Sequence, residues 1–323
     1  MILINKIRLI IIGVSLVLLI FFMPQGWHKK NNIMSIGILQ TASHPALDAV
    51  REGFVQHFRK NLNKEIRFVV QNAEGSLATA HMIAQQMHND DSIVGICSIA
   101  TLATQAIAHV EKKKPIFFAA VSDPHALGVI HPGTNVCGTS DATDVEAMVQ
   151  GLKTLVPQAK KVALLFNPAE ANSVAIVEKL KHALDAAGLQ WILAGVSSEA
   201  EIAHVVRVAL QNADALIIPP DNTVACAIKL VGLIAWQEKK PVILSDKMLL
   251  SKGILAVAGG VDYNELGRES AECALSVLRQ KIKPDQLPIK IVADKVIHVH
   301  KETLEHLGLH ITQDAQQLMK IEE

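Results

Sequence analysis

A chain of 323 residues, half of it apolar and 19% charged, is long enough for two domains of ordinary size and apolar enough to bury their cores. Lys plus Arg equals Asp plus Glu at 31 each, and no basic block or tail interrupts that balance, which excludes nucleic acid as a partner. Aromatic residues make up only 4%, too few for a base-stacking surface; Ala, Val, Ile and Leu dominate, as parallel sheets covered by helices require.

Residues 1–34 stand apart. Lys6 and Arg8 precede an unbroken apolar run from Leu9 to Met23. The run is short for a membrane span and suits the apolar region of an export signal. It is apolar on every face, unlike a core helix. Its exit, Pro24-Gln25-Gly26-Trp27, has no pair of small residues for cleavage, so the segment reads as a signal peptide or an N-terminal membrane anchor. No cysteine lies near it, which excludes a lipoprotein anchor. The body is therefore expected in the periplasm, with a tether to the inner membrane left open. Cys97, Cys137, Cys226 and Cys273 are widely spaced without a C-x-x-C, and read as buried free thiols.

From residue 35 short apolar runs alternate with amphipathic helices. SIGILQ (35–40) predicts a strand, and the helix after it places Leu47, Val50, Phe54, Phe58 and Leu62 on one face. IRFVVQ (66–71), IVGIC (93–97) and IFFAAV (116–121) are further strands, each separated by a helical stretch. The order then repeats: KVALLF (161–166), LQWILAG (189–195), ALIIP (215–219) and PVIL (241–244), again with helices between. Even the phrasing recurs, EKKKPIFF at 111–118 and QEKKPVIL at 237–244. The expected fold is α/β, two similar doubly wound parallel-sheet lobes. TNVCGTSDAT (134–143), ILAVAGGVD (254–262) and IKIVADKVIHV (289–299) read as crossings between them, a three-segment hinge. The lobes are drawn as 35–140 plus 262–289, and 141–261 plus 290–323.

Right-handed crossovers bring the carboxyl ends of parallel strands to one edge, where ligands of such sheets bind. The turns at those ends supply the candidate ligand-binding residues. In the first lobe these are Gln40, Thr41, His44, Ser98, Thr101, Ser122 and Asp123. In the second they are Asn167, Glu170, Asn172, Ser173, Asp221, Asn222, Thr223 and Asp246, with Asp262 at the second crossing. Any one of these turns taken alone reads more readily as a plain helix cap; their convergence on one cleft favours a site. The first lobe offers neutral donors beside helix starts, the second acids, a polarity that fits a zwitterion with its carboxylate on one side and its ammonium on the other.

GILQTASHPALDAVREGF, NPAEANS, PPDNTV, ILSD and GVDYNELGR together resemble the ABC-transporter substrate-binding protein family associated with aromatic and other amino acids, over about residues 35–310. The resemblance implies a type I periplasmic-binding-protein fold, capture of a small ligand by hinge closure, and delivery to an ABC permease and its ATPase in the inner membrane. Many relatives are lipoproteins; this chain lacks the cysteine for that. A monomer without cofactor or metal is expected. HVH at 298–300 lacks a third ligand for a metal and reads as a solvated strand edge. No nucleotide-binding glycine motif, zinc-protease motif or nucleophile elbow occurs. The rival readings are a two-lobed enzyme of racemase or lyase type acting on a small acid, for which Cys97 is the cleft-edge thiol, and a ligand-sensing receptor domain.

Overall fold

The computed structural model describes residues 34–62, 65–292 and 296–323; the segment read as signal or anchor lies outside them. Ser35–Gln40 (β1) leads into Pro45–Asn61 (α1), then Arg67–Asn72 (β2), Leu77–Asn89 (α2), Ile93–Ile99 (β3), Thr101–Val110 (α3), Ile116–Ala119 (β4) and Val136–Ser140 (β5). The second half runs Val145–Leu155 (α4), Lys161–Phe166 (β6), Ala171–Ala186 (α5), Gln190–Gly195 (β7), Glu199–Asn212 (α6) and Ala215–Ile218 (β8). Asn222–Cys226 (α7) and Ile228–Glu238 (α8) follow, separated at Ala227. Val242–Asp246 (β9), Ala256–Val261 (β10), Tyr263–Gln280 (α9), Lys290–Ile291 (β11), Ile297–His300 (β12), Lys301–His306 (α10), Gln313–Gln316 (α11) and Met319–Glu322 (β13) complete the chain.

The first sheet has the order β11-β5-β4-β3-β1-β2 and the second β13-β12-β10-β9-β8-β6-β7. Within each, the repeat unit follows the same order: β2-β1-β3-β4 is matched by β7-β6-β8-β9. The pairings are parallel except β10 with β12. The period of two along a buried strand divides each core. Val162, Leu164 and Phe166 of β6 join the cluster on one face of the second sheet, while Ala163 and Leu165 join the cluster on the other. Helices cover both faces, so the strands are apolar on both.

Three segments run between the sheets. β5 belongs to the first sheet and hands over to α4, which packs on β10. β10 belongs to the second and hands over to α9, which packs along α1. β11 pairs with β5 in the first sheet, and the next strand, β12, pairs with β10. Lys290 and Ile291 thus sit in the first sheet, two residues past the boundary drawn from sequence. The first two crossings touch. Asp144 N–H donates to Gly259 C=O at 3.1 Å. Gly259 has φ +65°, and a Cβ there would lie 2.0 Å from the Asp144 carbonyl oxygen, so no other residue fits.

Two sequence expectations change in the tertiary structure. His298 and His300 are buried, not on a solvated edge, because β13 pairs outside β12 and makes it an interior strand. His298 Nδ1 bonds Glu322 and His300 Nδ1 bonds Thr303. Cys97, Cys137 and Cys273 are buried free thiols as expected, but Cys226, at the end of α7, is exposed.

The α1–α9 contact attaches the returning chain to the first sheet's layer. Gly267 faces Val50 so closely that a Cβ would stand 2.0 Å from the Val50 carbonyl oxygen, and Gly53 likewise meets the Asn264 carbonyl at 2.2 Å. Backbone cannot yield as a side-chain tip does. Gly267→Val should therefore separate the helices and cost about 1–3 kcal/mol, as overpacking does, read as a lower urea midpoint with an unchanged slope.

Candidate ligand-binding site

The carboxyl ends of β3 and β4 face those of β8 and β9 across a cavity of about 30 Å³, room for on the order of one water. Its walls are apolar at Leu47, Ile218, Ile228, Leu244 and Leu249. Ala100 and Ala120, which follow β3 and β4, both line it with left-handed backbone, φ 71° and 55°. For alanine that conformation is costly, and such outliers gather where structure serves a site.

Of the predicted residues, His44, Thr101, Ser122, Asn172, Asp221, Asn222 and Asp246 line the cavity. His44 precedes α1 without capping it; its Nε2 reaches Asn222 Oδ1 across the gap at 3.3 Å, and its Nδ1 is buried without a partner. Burial pushes its pKa down, against the pull of the Asn222 hydrogen bond. Asp246 ends β9 and is 5% exposed; one oxygen accepts from Met248 N–H at 2.8 Å. Burial, with Asp141 nearby, raises its pKa to about 7. Asp221 uses both oxygens on backbone, Asn167 N–H at 2.6 Å and Val224 N–H at 2.9 Å. Burial and then the Glu170 charge lift it to about 7.

The other candidates do not reach the cavity wall. Gln40 donates to the Ala42 carbonyl and to Asp48. Thr41 donates to the Ile99 carbonyl and caps the first turn of α3 by accepting from Ala103 N–H. Ser98 Oγ is spent on Thr104 Oγ1 at 2.9 Å. Asp123 and Asp262 cap Ala126 N–H and Glu265 N–H. Asn167, Glu170, Ser173 and Thr223 tie the NPAEANS turn to the PPDNT turn: Glu170 alone takes four bonds, from the N–H and side chains of Asn222 and Thr223, Asn167 Nδ2 donates to Thr223 Oγ1, and Ser173 Oγ donates to the Pro220 carbonyl. These side chains hold the turns in place behind the cavity. Glu170, Asn167 and Thr223, with Thr41, line a separate and more open crevice at the outer rim.

Sequence reasoning passed over Asp141 and Tyr263. Asp141 follows β5 on the first crossing, is 4% exposed, and accepts from Tyr263 Oη at 3.2 Å; its Oδ1 has no partner. Burial raises the pKa of both groups. Tyr263 is the single tyrosine of the chain, a signal that was there to be read. Asp141, Asp221 and Asp246 bring three buried carboxyl groups to the wall, and among the described residues no Lys or Arg lines it. A cation is what such a wall can hold. Cys97 lies in the core off the cavity, its thiol pushed far up by burial, so it is no cleft-edge nucleophile.

Comparison with known proteins decides the family. The profile described as ABC transporter substrate binding protein matches residues 35–319. The chain belongs to that family. It is 31% identical over 282 residues to a tyrosine-binding protein of Clostridioides difficile, covering 85% of this chain and 81% of that one. A crystal structure of the ABC domain in complex with L-Trp from Streptococcus pneumoniae superposes with a TM-score of 0.84 at 28% identity, over 89% of this chain and 99% of that chain. The ligand-free, open structure of a substrate binding protein with adhesive properties from Clostridium difficile gives 0.67 at 32% identity, over 90% and 99%. The fold is that of type I periplasmic binding proteins. Family membership makes this a substrate-binding protein and not an enzyme. The family acts outside the cytoplasm.

Asp246 makes the ligand-free protein sensitive to pH in a defined direction. Its folded pKa of about 7 lies above its ordinary 3.8, so the folded state holds the proton more tightly. Stability from this group is full below about pH 4 and is lost as pH rises to about 7. The melting temperature of Asp246→Asn minus that of wild type should therefore grow across pH 4–7. A flat difference would mean that the carboxyl titrates normally.

Proposed function

We propose that this chain captures an amino acid, or a similar zwitterion, between its two lobes and hands it to an ABC permease energised by an ATPase. One observation carries the reading: three buried carboxyl groups and no basic side chain on the cavity wall. Opposite Asp221 and Asp246 stand neutral donors of the first lobe, Ser122 and the start of α3 at Thr101, with Asp141 on that same side beside Ser122. A helix start attracts a carboxylate, and the acids an ammonium. The relatives named for tyrosine and crystallised with L-Trp support this class of ligand. Asp246, with one oxygen committed to a single backbone N–H, is better placed for the ammonium than Asp221, whose two oxygens already serve as caps.

A cavity of 30 Å³ is too small to admit an amino acid as it stands. Entry requires the lobes to separate about the three crossings, with residues 34–140 and the α9 layer moving against the second sheet's layers. The better superposition on the L-Trp complex than on the open, ligand-free relative supports a closed arrangement here, as do the His44–Asn222 contact and the Cys226 thiol's contact with the Ser43 carbonyl across the gap. The protein acts as a periplasmic monomer, held by its N-terminal segment if that segment is kept.

Thermal-shift screening of the purified protein against the amino acids identifies the ligand, because binding to the folded state alone raises the melting temperature. Calorimetry then tests the polarity. Asp246→Asn should weaken the ligand by about thirtyfold or more, the effect of removing one partner of a buried charge pair. Ser122→Ala and Thr101→Ala should each cost about threefold to tenfold, one neutral hydrogen bond. Equal small losses at all three positions would take the ammonium off Asp246, and an equally small loss at Asp141→Asn as well would sink the zwitterion reading. Mass spectrometry of the mature protein should show residues 1–34 retained; a new N-terminus near 25–35 means an ordinary signal peptide.

A further inference from the structure

Asp141 is the one buried acid of the wall whose position depends on the hinge. It sits on the first crossing, just beyond β5, and Tyr263 opens α9 just beyond the second. The hydrogen bond from Tyr263 Oη to Asp141 Oδ2 therefore joins the two crossings beneath the cavity. The Asp144–Gly259 backbone bond joins them again one turn away. Tyr263 occupies Oδ2 and so orients the carboxylate; Oδ1 is buried at the cavity without a hydrogen bond, and the Ser122 hydroxyl lies beside the carboxyl group.

We propose that Asp141, positioned by Tyr263, is the principal anchor for the ligand's ammonium, and that this contact is what makes lobe closure depend on the ligand. The inference rests on the amino-acid reading and names the residue that enforces it.

The argument is one of desolvation. With the lobes parted, the Asp141 carboxylate faces water. Closing over an empty cavity buries a carboxylate oxygen with nothing to bond, a costly state. Asp246 lies close enough for each charge to oppose the other, which raises the cost further. A ligand ammonium on Oδ1 removes both penalties at once, since a paired and hydrogen-bonded charge tolerates burial. A ligand of the same shape without the amine fills the space and leaves the penalty. Closure then reads the amine rather than mere occupancy. Because Asp141 and Tyr263 lie on different crossings, a cation held between them and Asp246 also fixes the crossings in their closed relation. Asp221, buried in the second lobe away from the crossings, has no such leverage.

The test uses the full chain and three probes, L-tryptophan, L-tyrosine and L-leucine, each beside its des-amino acid: indole-3-propionate, 3-(4-hydroxyphenyl)propionate and 4-methylpentanoate. Wild type should bind one amino acid at least about thirtyfold more tightly than its des-amino counterpart. Asp141→Asn should lower affinity for that amino acid to the des-amino level while leaving the des-amino affinity within about threefold, and its ligand-free melting temperature should equal or exceed that of wild type, because an unpaired buried charge is gone. Tyr263→Phe should act in the same sense by about threefold to tenfold. A merely structural role would move both members of a pair together, and that result overturns the proposal. So does an Asp141→Asn affinity within about threefold of wild type when wild type prefers the amino acid; the zwitterion reading would then stand with its ammonium elsewhere. Equal wild-type binding of both members of every pair defeats the zwitterion reading itself. Should Asp141→Asn fail to fold, Tyr263→Phe decides alone, by whether the amino acid is weakened and the des-amino acid is not.

Discussion

Parallel strands end together, and everything at the cavity follows from that constraint. A right-handed βαβ unit brings every strand of a sheet to the same edge at its carboxyl end, where the chain must turn into a helix and expose polar backbone. Two such sheets, joined by three crossings, turn those edges toward each other. The polar turns then close on one another, and what lies between them becomes the only apolar-walled space with buried acids among the cavities described. The same order of strands in both halves means that the geometry is built twice from one pattern.

The turns divide their labour. The NPAEANS and PPDNT turns spend most of their hydrogen-bonding groups on one another: Glu170 holds Asn222 and Thr223, Asp221 holds Asn167 and Val224, and Asn172 and Ser173 hold the Pro220 carbonyl. This network ties the two turns of the second lobe together, and Asn172, Asp221 and Asn222 of it also line the cavity. Other groups of the wall carry burial without full satisfaction. His44 Nδ1 and Asp141 Oδ1 lack partners, and Asp246 gives one oxygen to a single N–H. Native interiors rarely leave such groups unpaired; the third such atom among the described residues, Ser270 Oγ, lies off the cavity.

The crossings are not a separate device added to this design. Gly259 in left-handed backbone lets the second crossing lie against Asp144 of the first, and the residues just beside that contact, Asp141 and Tyr263, form part of the cavity wall. On the proposed reading, ligand recognition and lobe movement share atoms. The tight α1–α9 seam, with Gly53 and Gly267 against backbone carbonyls, keeps the returning chain packed on the first sheet's layer.

Sequence alone determined the repeat, the strands and the crossings, because burial of an apolar strand between two helix layers leaves a run of Val, Ile and Leu that no other element of that length produces. It also located the strand-end turns, including His44, Thr101, Ser122, Asp221 and Asp246. It could not separate a cap from a ligand group. Ser98 and Thr101 stand three residues apart with similar hydroxyls, yet Ser98 is consumed by Thr104 and Thr101 faces the cavity; which way a hydroxyl turns is settled by neighbours from elsewhere in the chain. The same holds for HVH, buried only because β13 returns to cover β12. Asp141 and Tyr263 are 122 residues apart, and although Tyr263 is the single tyrosine of the chain, nothing local pairs it with Asp141. Their meeting, and with it the unpaired oxygen at the hinge, exists only once the crossings lie side by side, since a carboxylate's cost and use both depend on what the fold leaves around it.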